Sequence, residues 1–523
     1  IILSVSYVLL HYYLVNPGFK LAARIVIFIL ATFLILTSPD LLFRKILIPG
    51  ITVTHSEDTP YGNITYGVYH GEKSTYYNQR LLTYDFDVVE REENIHYAML
   101  QSASPEKVVL ISGTLKTQLP EIMKYPVKEI IYIERDPALT KNWTEPADIP
   151  AVKLSVINSD AFRYIRRANG LVDVVILSVP PPSTLQLNRY YTTEFFRAVK
   201  GKLNEGGIFM CSPGPGNDYF NKESVNLYSS IYNSLSSVFS NVKPVMGNKL
   251  YFIASDKELS VSFCMLTEMK KISNVYVSPD FLSDDLIRQK TEEITGLMDR
   301  GIRQNKSSFP VASYHFQAYS FSKYAGEKTS SIVILACIFA APFFLIKRRY
   351  LLMYFSASAL AGFEIIILLT LQIIIGNMYQ LAGLVIAALM AGLAIGSGVK
   401  IKALNGLSPV KTGILLLLMY TVTGLLYNSI TGLKNEITAI GLIILTAFLP
   451  ALLTGRLFHE LTERRNEMAT ISSVYSADLA GSALGFIMVT GVAIPVIGIQ
   501  TSIFLLSSLI FAGLLFATIR NKL

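Results

Sequence analysis

Two carboxylates stand where an open α/β sheet would present them to a ligand. Glu134 ends the run Pro126-Val-Lys-Glu-Ile-Ile-Tyr-Ile-Glu134, and Asp160 ends Val156-Ile-Asn-Ser-Asp160. Two other apolar runs, Val108–Ile111 and Val172–Leu177, lead into Ser112-Gly-Thr-Leu-Lys-Thr-Gln118 and Ser178-Val-Pro-Pro-Pro182. Short apolar runs alternating with helical segments read as buried strands of a doubly wound sheet. Such sheets bind ligands beyond the carboxyl ends of their strands, so the residues after each run carry any chemistry. Glu134 and Asp160 are the acids available there. After the fourth run stands Ser178, with no acid beside it. After the first run a single glycine, Gly113, would let the backbone turn and approach a ligand; Leu115 and Lys116 should obstruct that approach.

Four landmarks in order give these runs a family likeness. Glu134-Arg-Asp-Pro137, Asp160-Ala-Phe, Tyr190-Tyr-Thr-Thr-Glu-Phe-Phe196 and Leu203-Asn-Glu-Gly-Gly-Ile-Phe209 resemble the spermidine synthases, over roughly residues 50 to 257. Val242 to Ser255 resembles that family's closing strands. The resemblance implies a methyltransferase-type Rossmann-like domain, and an activity that transfers an aminopropyl group from decarboxylated S-adenosylmethionine. It would place Glu134 on the ribose and Asp160 near the adenine, with Gly113 as the remnant of the glycine-rich loop. Tyr190 and Tyr191 would line the amine pocket. The departures matter as much as the matches. The family's glycine-rich loop carries more glycines and an acid, and its catalytic aspartates lie in an Asp-Ser-Ser-Asp-Pro-like segment. Here Ser178 and Pro181 occupy the aspartate positions, so no catalytic residue is expected and the domain reads as a pseudoenzyme.

Of 523 residues, 51% are hydrophobic and only 16% charged, too apolar for an ordinary soluble protein. The excess lies at the ends, which makes this a membrane protein with a soluble middle. The net charge of +8 comes mostly from basic residues flanking apolar spans, so it indicates topology rather than a nucleic-acid partner. Cys211, Cys264 and Cys337 share no metal-ligand spacing and the histidines are scattered; no metal site or bound cofactor is expected.

In chain order, residues 1–45 read as N-terminal transmembrane helices. The chain starts inside an apolar run without methionine, so further residues are expected before Ile1. Residues 50–105 alternate in short Tyr- and Thr-rich runs, a small β-domain; 106–257 form the Rossmann-like domain and 258–328 a helical linker. Asp284 and Asp285 read as a helix cap. Residues 329–523 hold seven candidate spans, at about 329–346, 350–375, 380–398, 412–429, 437–454, 470–494 and 500–518. Gly392-Leu-Ala-Ile-Gly396 and Gly481-Ser-Ala-Leu-Gly485 have the small-xxx-small form used for close helix packing. Glu364 and Asp478 lie within spans, where a carboxylate is costly and marks either a functional site or a structural hydrogen bond. The fold class is therefore α/β Rossmann-like with a small β-domain, followed by an all-α membrane bundle.

Lys347-Arg-Arg349, then Lys400, Lys402 and Lys411, then Arg456, Arg464 and Arg465, then Arg520 and Lys522 occupy alternate loops; the others carry little besides Lys434. The positive-inside rule puts the basic group in the cytoplasm and the soluble domain outside it, periplasmic on an inner-membrane protein. The leading expectation is a membrane-anchored, inactive aminopropyltransferase-like scaffold or assembly subunit, with the lipid bilayer and other protein subunits of a membrane or periplasmic complex as partners. An active transferase using decarboxylated S-adenosylmethionine is the alternative. A transporter with Glu364 and Asp478 in its path is the second.

Overall fold

The computed structural model describes residues 50–141, 152–216, 219–324, 346–375, 379–399, 407–433, 435–463 and 468–519, besides isolated positions 32 and 344. The N-terminal helices expected at 1–45 and the first of the seven spans, about 329–346, lie outside these residues. The chain divides into two compact units, at Asp87/Val88.

In the first unit, β1 (Thr52–Thr59), β2 (Gly62–Tyr69), β3 (Glu72–Tyr77) and β4 (Arg80–Tyr84) form an antiparallel sheet in sequence order. The tight turns follow local chemistry. His70 with Gly71 and Asn78 with Gln79 all adopt positive φ, the conformation that matches a two-residue hairpin loop to strand twist. Asn78 also accepts the backbone N–H of Asn63 through its side chain at 2.9 Å, pinning the turn to β2.

The second unit opens with α1 (Val88–Met99) and continues as β5 (Lys107–Ile111), α2 (Leu115–Ile122), β6 (Glu129–Glu134), β7 (Lys153–Asn158), α3 (Ala161–Arg167) and β8 (Val172–Leu177). Then come α4 (Thr193–Lys200), β9 (Leu203–Pro215), α5 (Lys222–Ser236), β10 (Asn241–Met246) and β11 (Lys249–Ser255). The sheet order is β10-β11-β9-β8-β5-β6-β7, with β11 antiparallel to both its neighbours. Period-two alternation divides each central strand between two cores. Val108 and Leu110 of β5 pack with α1 and α2, while Val109 and Ile111 pack on the side of α3, α4 and α5. Both faces are covered, which is why these runs are mostly apolar rather than alternating. Order reverses at β5, which pairs with β6 on one side and β8 on the other; a crevice therefore opens past Ile111 and Leu177.

The segment after β11 holds α6 (Phe263–Lys270), α7 (Asp284–Leu297) and α8 (Val311–Tyr324). Asp284, expected to cap its own helix, instead accepts the N–H groups of Cys264 and Met265 at 2.9 and 3.0 Å. It caps α6, the helix before it, because the chain folds back between them.

Six helices among the described residues are long and apolar enough to cross a membrane. They are α9 (Leu351–Ile375), α10 (Tyr379–Gly398), α11 (Pro409–Thr431), α12 (Glu436–Glu463), α13 (Met468–Met488, continued to Ile497 by a π-turn) and α14 (Ile499–Ile519). Both small-xxx-small motifs lie at close crossings. A β-carbon on Gly481 or Gly485 would overlap the carbonyls of Tyr354 and Ser358 on α9; one on Gly396 would overlap the carbonyl of Leu452 on α12. Glu364 and Asp478 are half-buried, and among the described residues neither has a hydrogen-bond or ion-pair partner. The soluble part meets the bundle at one end. Ile499 N–H donates to the Ser308 carbonyl at 2.9 Å, and Phe309 packs where Gly498 lacks a side chain. Lys347–Arg349, Lys411 and Arg456 belong to helix ends of the opposite side, since α9 and α11 start there and α12 ends there.

Candidate functional site

At the end of β5 the chain turns through two successive left-handed residues, Ser112 (φ 60) and Gly113 (φ 83). Ser112 N–H still donates to the Ile133 carbonyl at 2.8 Å, so the strained residue is held by the sheet. This aims the Ser112 hydroxyl at Glu134, whose Oε2 accepts it at 2.6 Å; Oε1 accepts the Asp136 N–H at 3.1 Å. Tyr132, two residues upstream of Glu134 and hence on the same face, donates its hydroxyl to the Gly113 carbonyl at 2.9 Å. Glu134 is 4% exposed. Burial pushes its carboxyl above the ordinary range, against the pull of Ser112 and the Asp136 N–H.

The expected obstruction by Leu115 and Lys116 is corrected here. Leu115 opens α2 and turns into the core, and Lys116 is exposed. The residue that closes on the loop is Gln118, one turn further along the helix and therefore over the same spot. A β-carbon on Gly113 would lie 2.9 Å from Gln118 Oε1 and 2.9 Å from Ser178 Cβ. Gln118 is buried, and its Oε1 has no hydrogen-bond partner among the described residues. Gly113, Ser178 and the Gln118 amide thus fill the point where β5 and β8 diverge.

Asp160 caps α3, accepting the Arg163 N–H at 2.9 Å. The same oxygen takes Arg189 Nη2 at 2.6 Å, and the other takes the Tyr190 hydroxyl at 2.8 Å. All three partners belong to the protein. Tyr191 is fully buried, with the carbonyls of Val179 and Ser212 within 2.9 Å of its hydroxyl. Tyr190 and Tyr191 therefore brace the interior behind the crevice. Pro180, Pro181 and Pro182 offer no N–H past β8, and no carboxylate follows that strand.

The sequence reading passed over a second set of groups, on α1. Glu92, fully buried, accepts three consecutive backbone N–H groups, of Val275, Tyr276 and Val277, at 2.8 to 2.9 Å. His96 joins Tyr125 (2.7 Å) and Glu121 (3.0 Å). Glu121 also pairs with Lys124 at 2.6 Å and Arg91 at 2.8 Å. Burial works to raise the Glu121 carboxyl, but hydrogen bonds from His96 and Lys124 overcome it and hold the group at about 2. The adjacent acids at 92 and 93 were the available signal. Nothing in a single helix tells which acid will be buried.

Glu93 behaves oppositely. It accepts the Asn248 N–H at 2.8 Å, yet burial dominates and raises its carboxyl to about 7. A folded value above the unfolded 4.5 means the native state holds the proton more tightly. The stabilising contribution is complete below pH 4.5 and is lost as pH rises through 7. Chemical unfolding at a series of pH values should therefore show stability falling between pH 5 and 8 by about 3 kcal/mol from this group. Glu93→Gln should flatten that fall; an unchanged slope would assign it elsewhere.

Comparison with known proteins falls on this same region. Residues 88–248 match the model of the spermine/spermidine synthase domain. A polyamine aminopropyltransferase of Oceanobacillus iheyensis is 27% identical over 209 residues, covering 37% of this chain and 38% of that protein. One from Korarchaeum cryptofilum is 25% identical over 256 residues, covering 47% of this chain and 70% of its own. The chain thus spans well under half of the Oceanobacillus protein. Among solved structures, the spermidine synthase of Thermotoga maritima aligns with a TM-score of 0.36 at 18% identity, covering 47% of this chain and 88% of that one. The chain carries a spermidine synthase-type domain, joined to six membrane-capable helices.

Proposed function

We propose that this chain is a membrane-anchored, catalytically inactive relative of the aminopropyltransferases that serves as a scaffold or assembly subunit. The observation that carries this reading is the state of the crevice acids. Glu134 is held by Ser112, Asp160 is held by Arg189 and Tyr190, and β8 is followed by serine and proline. Glu134 and Asp160 are each 4% exposed and already satisfied by donors of the protein itself, so a ligand hydroxyl would have to displace packed groups to reach either. The segment just past β8 supplies no carboxylate to take a proton from an attacking amine.

The full chain, purified in detergent, should show no aminopropyl transfer from decarboxylated S-adenosylmethionine to putrescine, and no saturable binding of the donor by calorimetry at millimolar concentration. Turnover, or binding abolished by Glu134→Ala, overturns the proposal.

The same reading places the soluble domain outside the cytoplasm. Its support is that the soluble part meets the bundle at the end opposite Lys347–Arg349, Lys411 and Arg456. Ser283 is exposed and its side chain makes no capping bond. Ser283→Cys, in a chain whose three native cysteines are replaced, should react with a membrane-impermeant maleimide in intact cells once any outer envelope is permeabilised. Reaction only after lysis reverses the orientation.

A further inference from the structure

A small, partly open cleft lies between the Rossmann-like domain and the membrane bundle. Its floor holds Asn188, Arg189 and Gln372, all buried, and its mouth is bordered by half-buried Phe162, Leu369 and Ile373. Gln372 is 4% exposed, and its Nε2 has no hydrogen-bond partner among the described residues. A buried amide without a partner costs on the order of 1–3 kcal/mol, and a ligand that accepts its hydrogen bond would recover that. Leu369 and Ile373 occupy the last two turns of α9, so the mouth lies at the end of a membrane-capable helix, where a span of that length would reach a bilayer's polar layer. The charge on the floor is balanced, because Arg189 already pairs with Asp160 at 2.6 Å. What remains is the unpartnered N–H of Gln372, with no net charge beside it, above an apolar wall.

We infer that this cleft binds a membrane glycerolipid, with an ester carbonyl at Gln372 and the acyl chain along Leu369 and Ile373. A neutral acceptor suits the floor better than a fully charged phosphate, whose burial would need an unpaired cation. A lipid seated there would fill the joint between the two parts of the second unit. It would also touch, through Arg189, the residue that holds Asp160.

The full chain reconstituted in phosphatidylcholine vesicles containing a phosphatidylcholine with a diazirine on one acyl chain tests this directly. Lipid of the ordinary belt labels the helices alone, so photolabel on residues 185–189 of the soluble domain is the diagnostic signal. It should appear in the native chain. It should drop roughly tenfold in Gln372→Leu, the equivalent of about 1.4 kcal/mol, and in Leu369→Trp, which fills the mouth from the apolar side. If Gln372→Leu fails to elute as a monodisperse species, Leu369→Trp decides. No label at 185–189 in the native chain, or equal label in the folded variants, overturns the inference. Partition of vesicles made with anionic phosphatidylglycerol should not raise the labelling; a large rise would replace the ester by a phosphate as the group recognised, and would also overturn it.

Discussion

Gly485→Leu should lower the thermal unfolding midpoint of the detergent-solubilised chain sharply and broaden its elution on size exclusion. A β-carbon at that position overlaps the Ser358 carbonyl of α9, and one on Gly481 overlaps the Tyr354 carbonyl a turn away. The obstacle is backbone, so no rotamer change relieves it, and α9 and α13 must separate along their contact. Overpacking in a tight core costs about 3 kcal/mol at the upper end of its usual range, and loss of a crossing that other side chains share adds to it. The matched control is Gly383→Leu on α10, where nothing lies within 4 Å of a new β-carbon. Leucine also favours a helix interior over glycine by the better part of 1 kcal/mol, so this variant should be neutral or slightly stabilised. Equal behaviour of the two variants would mean that the crossing does not hold the bundle together.

Glu92→Ala is expected to have the second large effect, of about 3–5 kcal/mol, the range for removing one side of a buried charged interaction. The substitution strands three peptide N–H groups at Val275–Val277 in the interior, and leaves Lys124, 3.9 Å from Glu92, with less compensation. Glu92→Gln keeps one oxygen acceptor and should recover part of the loss. Hydrogen exchange gives the local signature: the amides of residues 275–277 should lose protection before the sheet does. Protection unchanged in Glu92→Ala would show that those amides are held by something other than the carboxylate.

Particular elements show where the sequence was legible. Val172–Leu177 matched β8 at both ends, because a strand covered on both faces is written as a mostly apolar run, broken here only by Asp173, which accepts the N–H groups of Glu106 and Lys107. Only the end of the third strand, Val156–Asp160, is legible as a run; β7 spans Lys153–Asn158, and as an edge strand it mixes polar and apolar residues that stay partly exposed. The second was read from Pro126, yet pairing starts at Glu129; a proline without an N–H cannot join the ladder there. The glycine motifs of the membrane part were legible because close crossing demands absence of a side chain, and an absence is visible in sequence. Asp284 was legible as a cap, though the helix it caps was not.

The sequence by itself determined the order of the layers, the six membrane-capable helices among the described residues, the likeness of residues 88–248 to the spermine/spermidine synthase domain and the absence of an acid after β8. Each of these is carried by local periodicity or by a residue type at a fixed distance along the chain. Tertiary structure alone decided what each remaining acid does. Glu134 and Asp160 lie 26 positions apart and look equally free in the sequence; folding gave the first to Ser112 and the second to Arg189 and Tyr190. It likewise brought Gln118 rather than Leu115 or Lys116 against Gly113. It joined Gln372 to a cleft whose other wall is nearly two hundred residues away. Hydrogen-bond partners are chosen by distance and direction in space, and a one-dimensional chain records neither.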